Sequence, residues 1–282
     1  DVYKRQMEDI DGPRTVPGMA AQQLDELRWL GLDWDEGPDV GGSNGPYTQG
    51  ECLDLYRSAL TTLRSKSLTY PCVCSRKDLQ RLASAPHAGE EGPPYPGTCR
   101  GRFSMEEEAR AAAGRPVSIR FLVPDSLVTI QDRMRGAFSQ QLRQDVGDVV
   151  IQRADGVFAY QLAVTVDDGR MGVTDVVRAD DLLASSPRQS ALLDALGQPT
   201  PRYAHLPLLH GEDGARLQKR LPHHTLEGLR SAGVPPDAVV GWLAHSSGLV
   251  AEPEPTPAQA LVKGFVLERT TNAPDWLKLP GQ

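Results

Sequence analysis

Apolar residues recur at helical spacing in two stretches near the start of the chain. In "VPGMAAQQLDELRWLGLDWDEG", Leu24, Leu27 and Leu30 form one stripe and Gly31 supplies a natural stop, which predicts a helix. In "QGECLDLYRSALTTLRSK", Leu53, Tyr56, Leu60 and Leu63 share a face and predict a second helix. The stretches "PVSIRFLVP" and "VTIQDRMRGAFS" read as strands of a small β-rich unit. Further on, "GVFAYQLAVTVDD" alternates Val157, Ala159, Gln161, Ala163 and Thr165 against Phe158, Tyr160, Leu162, Val164 and Val166. Both sets are largely apolar, which predicts a mostly buried strand ending in Asp167 and Asp168. "MGVTDVVRADDLL" predicts a second strand with Arg178 at its carboxyl end and a helix after it. "YAHLPLLHGEDGARLQKR" predicts a third, running into a Gly-rich basic loop. Strands alternating with helices point to a parallel α/β sheet, whose ligands sit beyond the carboxyl ends of the strands. Those ends would offer Asp167, Asp168, Arg178, Arg216, Lys219 and Arg220. The tail, "TLEGLRSAGVPPDAVVGWLAHSSGL", predicts two helices, the first stopped by Gly233 and the second started by Pro235-Pro236.

One segment does not fit this pattern. From residue 72 to about residue 115 the chain is rich in Gly, Pro and charge with weak periodicity, and such a stretch needs a staple to hold a structure. Three of the four cysteines in the chain, Cys72, Cys74 and Cys99, fall inside it. Four cysteines in 282 residues do not make a disulfide framework, so reduced thiols of a cytoplasmic protein are expected. The chain has no positively charged start followed by an apolar run, and no run of about 18 apolar residues. Its net charge of −7 argues mildly against phosphate-rich partners, although a local basic surface remains compatible with it.

Four groups of residues could carry chemistry. Cys72, Cys74 and Cys99 offer thiolates to a tetrahedral zinc ion. On ligand chemistry His87 is the default fourth ligand, and Tyr95, four residues before Cys99, is the stranger option; three buried reduced thiols are the plain alternative. The loop "GEDGARLQKR" offers Arg216, Lys219 and Arg220 to a polyphosphate, though it does not follow the Walker spacing. Arg178 could fork onto a carboxylate with Tyr160 nearby; it could equally pair with Asp175, Asp180 or Asp181, and Tyr160 could be a core aromatic. Glu8, Asp9 and Asp11 could hold an ammonium group, or could cap a helix near Pro13 or simply be solvated.

Taken together, "EDIDGPR", "LRWLGLDWDEG", "YPCVCSRKDL", "FAYQLAVTVDD", "GVTDVVRADDLL", "PRQSALLDALGQPTPRYAHLPLL" and "GVPPDAVVGWLAHSSGL" resemble the glutamyl class of class I aminoacyl-tRNA synthetases, in that family's order, over about residues 7 to 250. The resemblance implies an α/β fold: a Rossmann-like catalytic domain with a small zinc-containing insertion and a short helical C-terminal part. It places Arg216, Leu217, Gln218, Lys219 and Arg220 at the family's second signature, an ATP-binding loop in which Lys219 matches the key lysine and Gln218 replaces a serine. It implies glutamate contacts from Glu8, Tyr160 and Arg178, and ATP as substrate with Mg2+. The chain stops soon after the catalytic fold, so it is similar to the short branch of the family, which activates glutamate with ATP and attaches it to the queuosine base in the anticodon of tRNA(Asp). That branch has the zinc pattern C-x-C…Y-x3-C, which Cys72, Cys74, Tyr95 and Cys99 match, implying one structural Zn2+ per chain with Tyr95 ahead of His87 as fourth ligand.

The resemblance divides the chain into residues 7–71 and 146–222 of the catalytic domain, an insertion at 72–145 and a helical segment at 223–282. Residues 1–6, "DVYKRQ", do not resemble the family and are expected to be a foreign start. The family's first strand and H-I-G-H-type signature are not found before "EDID", so the 282-residue chain is expected to form little adenylate. Two alternatives remain: a fragment of a glutamyl-tRNA synthetase charging tRNA(Glu), or a remnant that only binds tRNA or zinc. Neither a membrane nor a protein partner is implied.

Overall fold

The computed structural model describes residues 2–12, 15–75, 77–78, 94–208 and 225–270. Helices α1 (Met19–Trp29) and α2 (Leu53–Ser65) form where the apolar stripes predict them. In α2, Tyr56, Ala59, Leu60 and Leu63 face the core, while Leu53, on the predicted stripe, is exposed in the first turn. Gly31 ends the α1 region with φ +77°, a conformation that costs a residue with a Cβ.

Two sheets follow. Strands β1 (Thr69–Cys72), β2 (Ser118–Phe121) and β5 (Val149–Gln152) form an antiparallel sheet in the order β1-β2-β5. Strands β3 (Leu127–Asp132) and β4 (Gly136–Gln141) form a hairpin in a second sheet with β6 (Asp175–Ala179) and β7 (Arg202–Leu206), ordered β4-β3-β7-β6. Within it β3 and β6 both run parallel to β7. The stretches expected to form one small β-rich unit are therefore split. "PVSIRFLVP" pairs with the strand that carries Cys72, and "VTIQDRMRGAFS" joins the mixed sheet that carries Arg178.

The clearest departure from the sequence reading lies at residues 157–168. "FAYQLAVTVDD" is not a strand but helix α5 (Tyr160–Arg170). Leu162, Ala163, Val164, Thr165 and Asp167 are all buried, because the helix is packed on several sides. A helix without a polar face shows no 3.6-residue period, and a continuous apolar run is then indistinguishable from a buried strand. The correction matters for the site. Successive helical residues point about 100° apart, so Asp167 and Asp168 are separated rather than stacked at a strand end.

Helix α6 (Ser186–Leu196) packs with α2 and α5 over the β1-β2-β5 sheet, in a core that includes Tyr56, Phe121, Ile151, Leu162 and Leu192. Short helices α3 (Glu106–Ala113) and α4 (Leu142–Asp145) lie between the strands. Past the sheets come α7 (Leu226–Ser231), α8 (Pro236–Ser246) and α9 (Ala258–Val262). Gly233 and Pro236 separate α7 from α8 as expected, with Pro236 at the first helical position. Leu229, Val239 and Val240 close a second core on Leu30.

At the start of the described chain, Arg5 N–H donates to the Glu36 carbonyl (2.8 Å) and Gln6 Nε2 donates to Asp167 Oδ2 (2.7 Å). No helix among the described residues is long and apolar enough to cross a membrane.

Candidate active site and cysteine cluster

Glu8, Tyr160, Asp168 and Arg178 come together between the start of the chain, α5 and β6. Glu8 lies just after Met7, whose backbone is tied to Tyr47 and Gln49. Tyr160 opens α5, Asp168 lies in its last turn, and Arg178 sits near the end of β6. Glu8 keeps solvent access, yet the surrounding protein strips enough hydration from its carboxyl to raise the pKa above the ordinary value, against the pull of Arg178 and Arg5. Glu8 thus lies where protein and solvent meet, close enough to the protein to lose part of its hydration. Tyr160 is raised by burial and by the nearby Glu8 charge.

The Arg178 guanidinium is held from behind. Its Nε donates to His205 Nε2 (3.0 Å) and its Nη2 to Ser186 Oγ (2.8 Å). Asp175 is paired with Arg202 and Asp180 with Arg135, so the expected competitors at these two positions are otherwise engaged. Arg178 Nη1 has no hydrogen bond among the described residues, which leaves one edge of a fixed cation without a partner there.

Asp168 was visible in the sequence but carried no assigned role. Its carboxyl is pushed up to about 7, first by burial and then by Asp167 and Glu8, with Arg178 opposing. The sign of the linkage follows from that direction. A carboxyl raised in the folded state costs nothing below its unfolded pKa, destabilises increasingly as pH climbs from there to its folded pKa, and costs a constant amount above it. Asp168→Asn is therefore expected to raise the urea midpoint at pH 8, with the gain shrinking as pH falls through 7 towards 5. An equal gain at both pH values would show that the charge is not the cause. Asp167 acts differently. It accepts from Tyr56 Oη (2.6 Å), Gln6 Nε2 (2.7 Å) and Arg170 Nε (2.9 Å), which ties α5 to α2.

The other expected centre also assembles. The sulfurs of Cys72, Cys74 and Cys99 lie within 4.8 Å of one another. Cys74 Sγ is 3.6 Å from Cys99 Sγ, and Tyr95 Oη is 3.4 Å from Cys72 Sγ and 4.0 Å from Cys74 Sγ. Tetrahedral zinc with Zn–S near 2.3 Å and Zn–O near 2.0 Å sets sulfurs about 3.8 Å apart and sulfur about 3.5 Å from oxygen. The group thus has the dimensions to hold a metal ion. Its electrostatics favour thiolate at Cys72 alone. Burial opposes ionisation of Cys72, but the Arg120 guanidinium and the Tyr95 hydroxyl outweigh it and lower the pKa. The thiol of Cys74 is pushed up to about 12 by burial and by Cys72 beside it, so a second thiolate needs a cation to form.

The framework around the cluster is specific. Arg120 stacks its guanidinium 3.6 Å from the Tyr95 ring centroid. Arg100, next to Cys99, and Tyr70, two residues before Cys72, both bond the buried Asp148 carboxylate (Nε 2.8 Å, Oη 2.7 Å). Gly147, with φ +74°, lets the chain pass Tyr95 so closely that a Cβ there would lie 2.2 Å from the Tyr95 carbonyl oxygen. His87, the other candidate ligand, lies outside the described residues, as do Arg216, Leu217, Gln218, Lys219 and Arg220.

Comparison with known proteins gives a consistent result. Residues 5–254 match the family model for tRNA synthetases class I (E and Q), catalytic domain. The chain is 51% identical over 278 residues to a Glutamyl-Q tRNA(Asp) synthetase of Symbiobacterium thermophilum, covering 98% of this chain and 85% of that protein. Against one from Nitratidesulfovibrio vulgaris it is 46% identical, covering 87% of this chain and 76% of that protein. It is 40% identical to Glutamate--tRNA ligase 1 of Halorhodospira halophila, covering 95% of this chain and 56% of that protein. The crystal structure of glutamate-tRNA synthetase from Elizabethkingia anophelis superposes with a TM-score of 0.79 at 27% identity, over 96% of this chain and 61% of that one.

Proposed function

Because the chain belongs to the catalytic-domain family of class I tRNA synthetases for glutamate and glutamine, we propose that its cleft activates glutamate with ATP and that the product is passed to queuosine in the anticodon of tRNA(Asp). The observation that carries the first half is the cleft itself. One fixed guanidinium, Arg178, acts on two poorly hydrated carboxyls, Glu8 and Asp168, and on the Tyr160 hydroxyl. An amino acid with an extra carboxylate matches that charge pattern. Its ammonium group lies against Glu8, and a carboxylate lies on the free edge of Arg178. Glutamate's α-carboxylate attacks the α-phosphorus of ATP, and pyrophosphate leaves. Lys219, with Arg216 and Arg220 in the loop 216–220, is assigned to stabilise the developing phosphate charge. A hydroxyl of the modified base then attacks the activated carbonyl, and AMP leaves.

The second half is supported by the relatives named Glutamyl-Q tRNA(Asp) synthetase, at 51% and 46% identity against 40% for the glutamate–tRNA ligase, and by the assembly of C-x-C with Y-x3-C into one cluster. We assign zinc to that cluster, held by Cys72, Cys74, Cys99 and Tyr95. Its role there is structural, fixing the segment on the far side of β1. Three thiolates make a soft donor set suited to zinc.

The test is transfer of radiolabelled glutamate by the enzyme expressed from the whole gene. Label is expected on tRNA(Asp) carrying queuosine and not on tRNA(Asp) lacking it. Charging of tRNA(Glu) at its 3′ end would instead assign the chain to an ordinary glutamyl-tRNA synthetase.

A further inference from the structure

Behind Arg178 lies a buried pair that the reaction scheme does not use. Asp132, at the end of β3, and His205, on β7, have side chains with no exposure at all, and Asp132 Oδ2 is 2.5 Å from His205 Nδ1. The parallel pairing of β3 with β7, which sets Asp132 opposite Tyr203, brings them together. The other oxygen, Oδ1, accepts three backbone N–H groups, from Met134 (2.9 Å), Arg135 (2.8 Å) and His205 (3.2 Å).

We infer that Asp132 and His205 are positioning residues for Arg178, acting by fixing the tautomer of the imidazole. Arg178 Nε–H can only donate, so the His205 Nε2 that it meets at 3.0 Å must carry a lone pair. The proton is then on Nδ1, where Asp132 accepts it. The imidazole is neutral in this arrangement, and burial favours that form. The same guanidinium gives Nη2 to Ser186 Oγ (2.8 Å) and, more weakly, to the Leu182 carbonyl (3.4 Å), and its face lies 5.3 Å from the Tyr203 ring centroid. The relay thus occupies the inner edge of Arg178 and presents Nη1 outward to an anionic group. The inference rests on the reading of the cleft as a glutamate site, and it names what sets the aim of the residue that recognises the carboxylate.

The Asp132→Asn variant tests it with almost no change of shape. The three backbone N–H groups on Oδ1 require that atom to stay an oxygen, so the new NH2 takes the Oδ2 place and donates to His205 Nδ1. The imidazole must then carry its proton on Nε2, where it faces the Arg178 Nε–H donor to donor and has as its acceptor only Ser186 Oγ (3.3 Å), the oxygen that Arg178 Nη2 already uses. Ring 15N shifts of His205 are expected to reverse between wild type and Asp132→Asn, and the Arg178 Nε–H resonance to move. Calorimetric titration should show glutamate affinity falling about 10- to 100-fold, the equivalent of one charge-assisted hydrogen bond, with ATP affinity unchanged. His205→Gln, which keeps a donor for Asp132 and an acceptor for Arg178, should retain glutamate affinity within a few-fold. His205→Leu, which keeps neither, should lose it as Asp132→Asn does. This second pair decides the matter if Asp132→Asn does not fold. An unchanged tautomer in Asp132→Asn, or equal losses in His205→Gln and His205→Leu, would overturn the inference. A wild-type protein that binds no glutamate while the NMR signatures still switch would overturn the glutamate reading and leave the relay standing.

Discussion

Purified under reducing conditions, the protein is expected to carry about one zinc per chain, and Cys74→Ser to lose it. The argument is electrostatic as well as geometric. Without a cation, the surroundings lower the pKa of Cys72, but burial and Cys72 push the Cys74 thiol up to about 12, so the cluster cannot hold three thiolates at neutral pH. A divalent ion removes that conflict, and its binding displaces protons, so metal affinity should fall as pH falls. The effect on the fold should be large but local. The core around the cluster is small, built from Tyr70, Cys72, Tyr95 and Cys99 with a few half-buried neighbours, and so small a core is not self-sufficient. Structural zinc in small domains supplies about 10–16 kcal/mol of apparent binding energy, comparable with the whole stability of a domain. Cys74→Ser should therefore speed hydrogen exchange at residues 94–103 while α2 and α5, in the separate main core, stay protected. Tyr95→Phe should weaken metal retention and His87→Ala should not. Elemental analysis without zinc, with all thiols titrating freely in the native protein, would remove the assignment.

How far the sequence alone reached depended on where each signal was stored. Helices α2 and α8 were legible because one side of each faces solvent or because Pro235-Pro236 marks the start. Helix α5 was not, since its burial on several sides erased the helical period. The partner sheets of "PVSIRFLVP" and "VTIQDRMRGAFS" were not legible either, because strand pairing is non-local and alternation says only that a strand has two faces. The cysteine group was visible as composition, but the claim of Tyr95 over His87 came from the resemblance; the structure adds the contacts of Tyr95 Oη with two of the sulfurs.

The proposed glutamate site shows the same division. Glu8, Tyr160 and Arg178 were named from the resemblance, and the structure brings them together with Asp168. Nothing in the spacing of Asp132, Ser186 and His205 marks them as a set. They are separated by 54 and 19 positions, and only the parallel register of β3, β7 and β6 places them around one guanidinium. A buried histidine flanked by apolar residues in "YAHLPLL" is ordinarily a satisfied core residue, and here the way it is satisfied is what lets it orient Arg178.

Arg178→Ala is expected to weaken glutamate binding far more than ATP binding. Loss of a hydrogen bond to a charged group costs roughly 1.5–3 kcal/mol, or about one to two powers of ten in affinity. A second loss adds to it. Arg178 is the cation that holds the Asp168 carboxyl down to about 7 and opposes the rise of Glu8. Without it both carboxyls take up protons at higher pH, and a neutral Glu8 holds an ammonium group poorly. The defect in glutamate binding should therefore deepen as pH falls from 8 towards 6, because each carboxyl protonates earlier in the variant than in the wild type. Arg178→Lys separates the two contributions. It keeps a positive charge near Asp168 but cannot bridge His205 and Ser186 on one edge while offering another, so it should preserve the Asp168 titration and still lose glutamate affinity. A purely structural arginine predicts otherwise: equal losses for glutamate and ATP, matched by a drop in thermal stability and no dependence on pH. Isothermal titration with each ligand at pH 6 and 8, beside a melting curve for each variant, distinguishes the two.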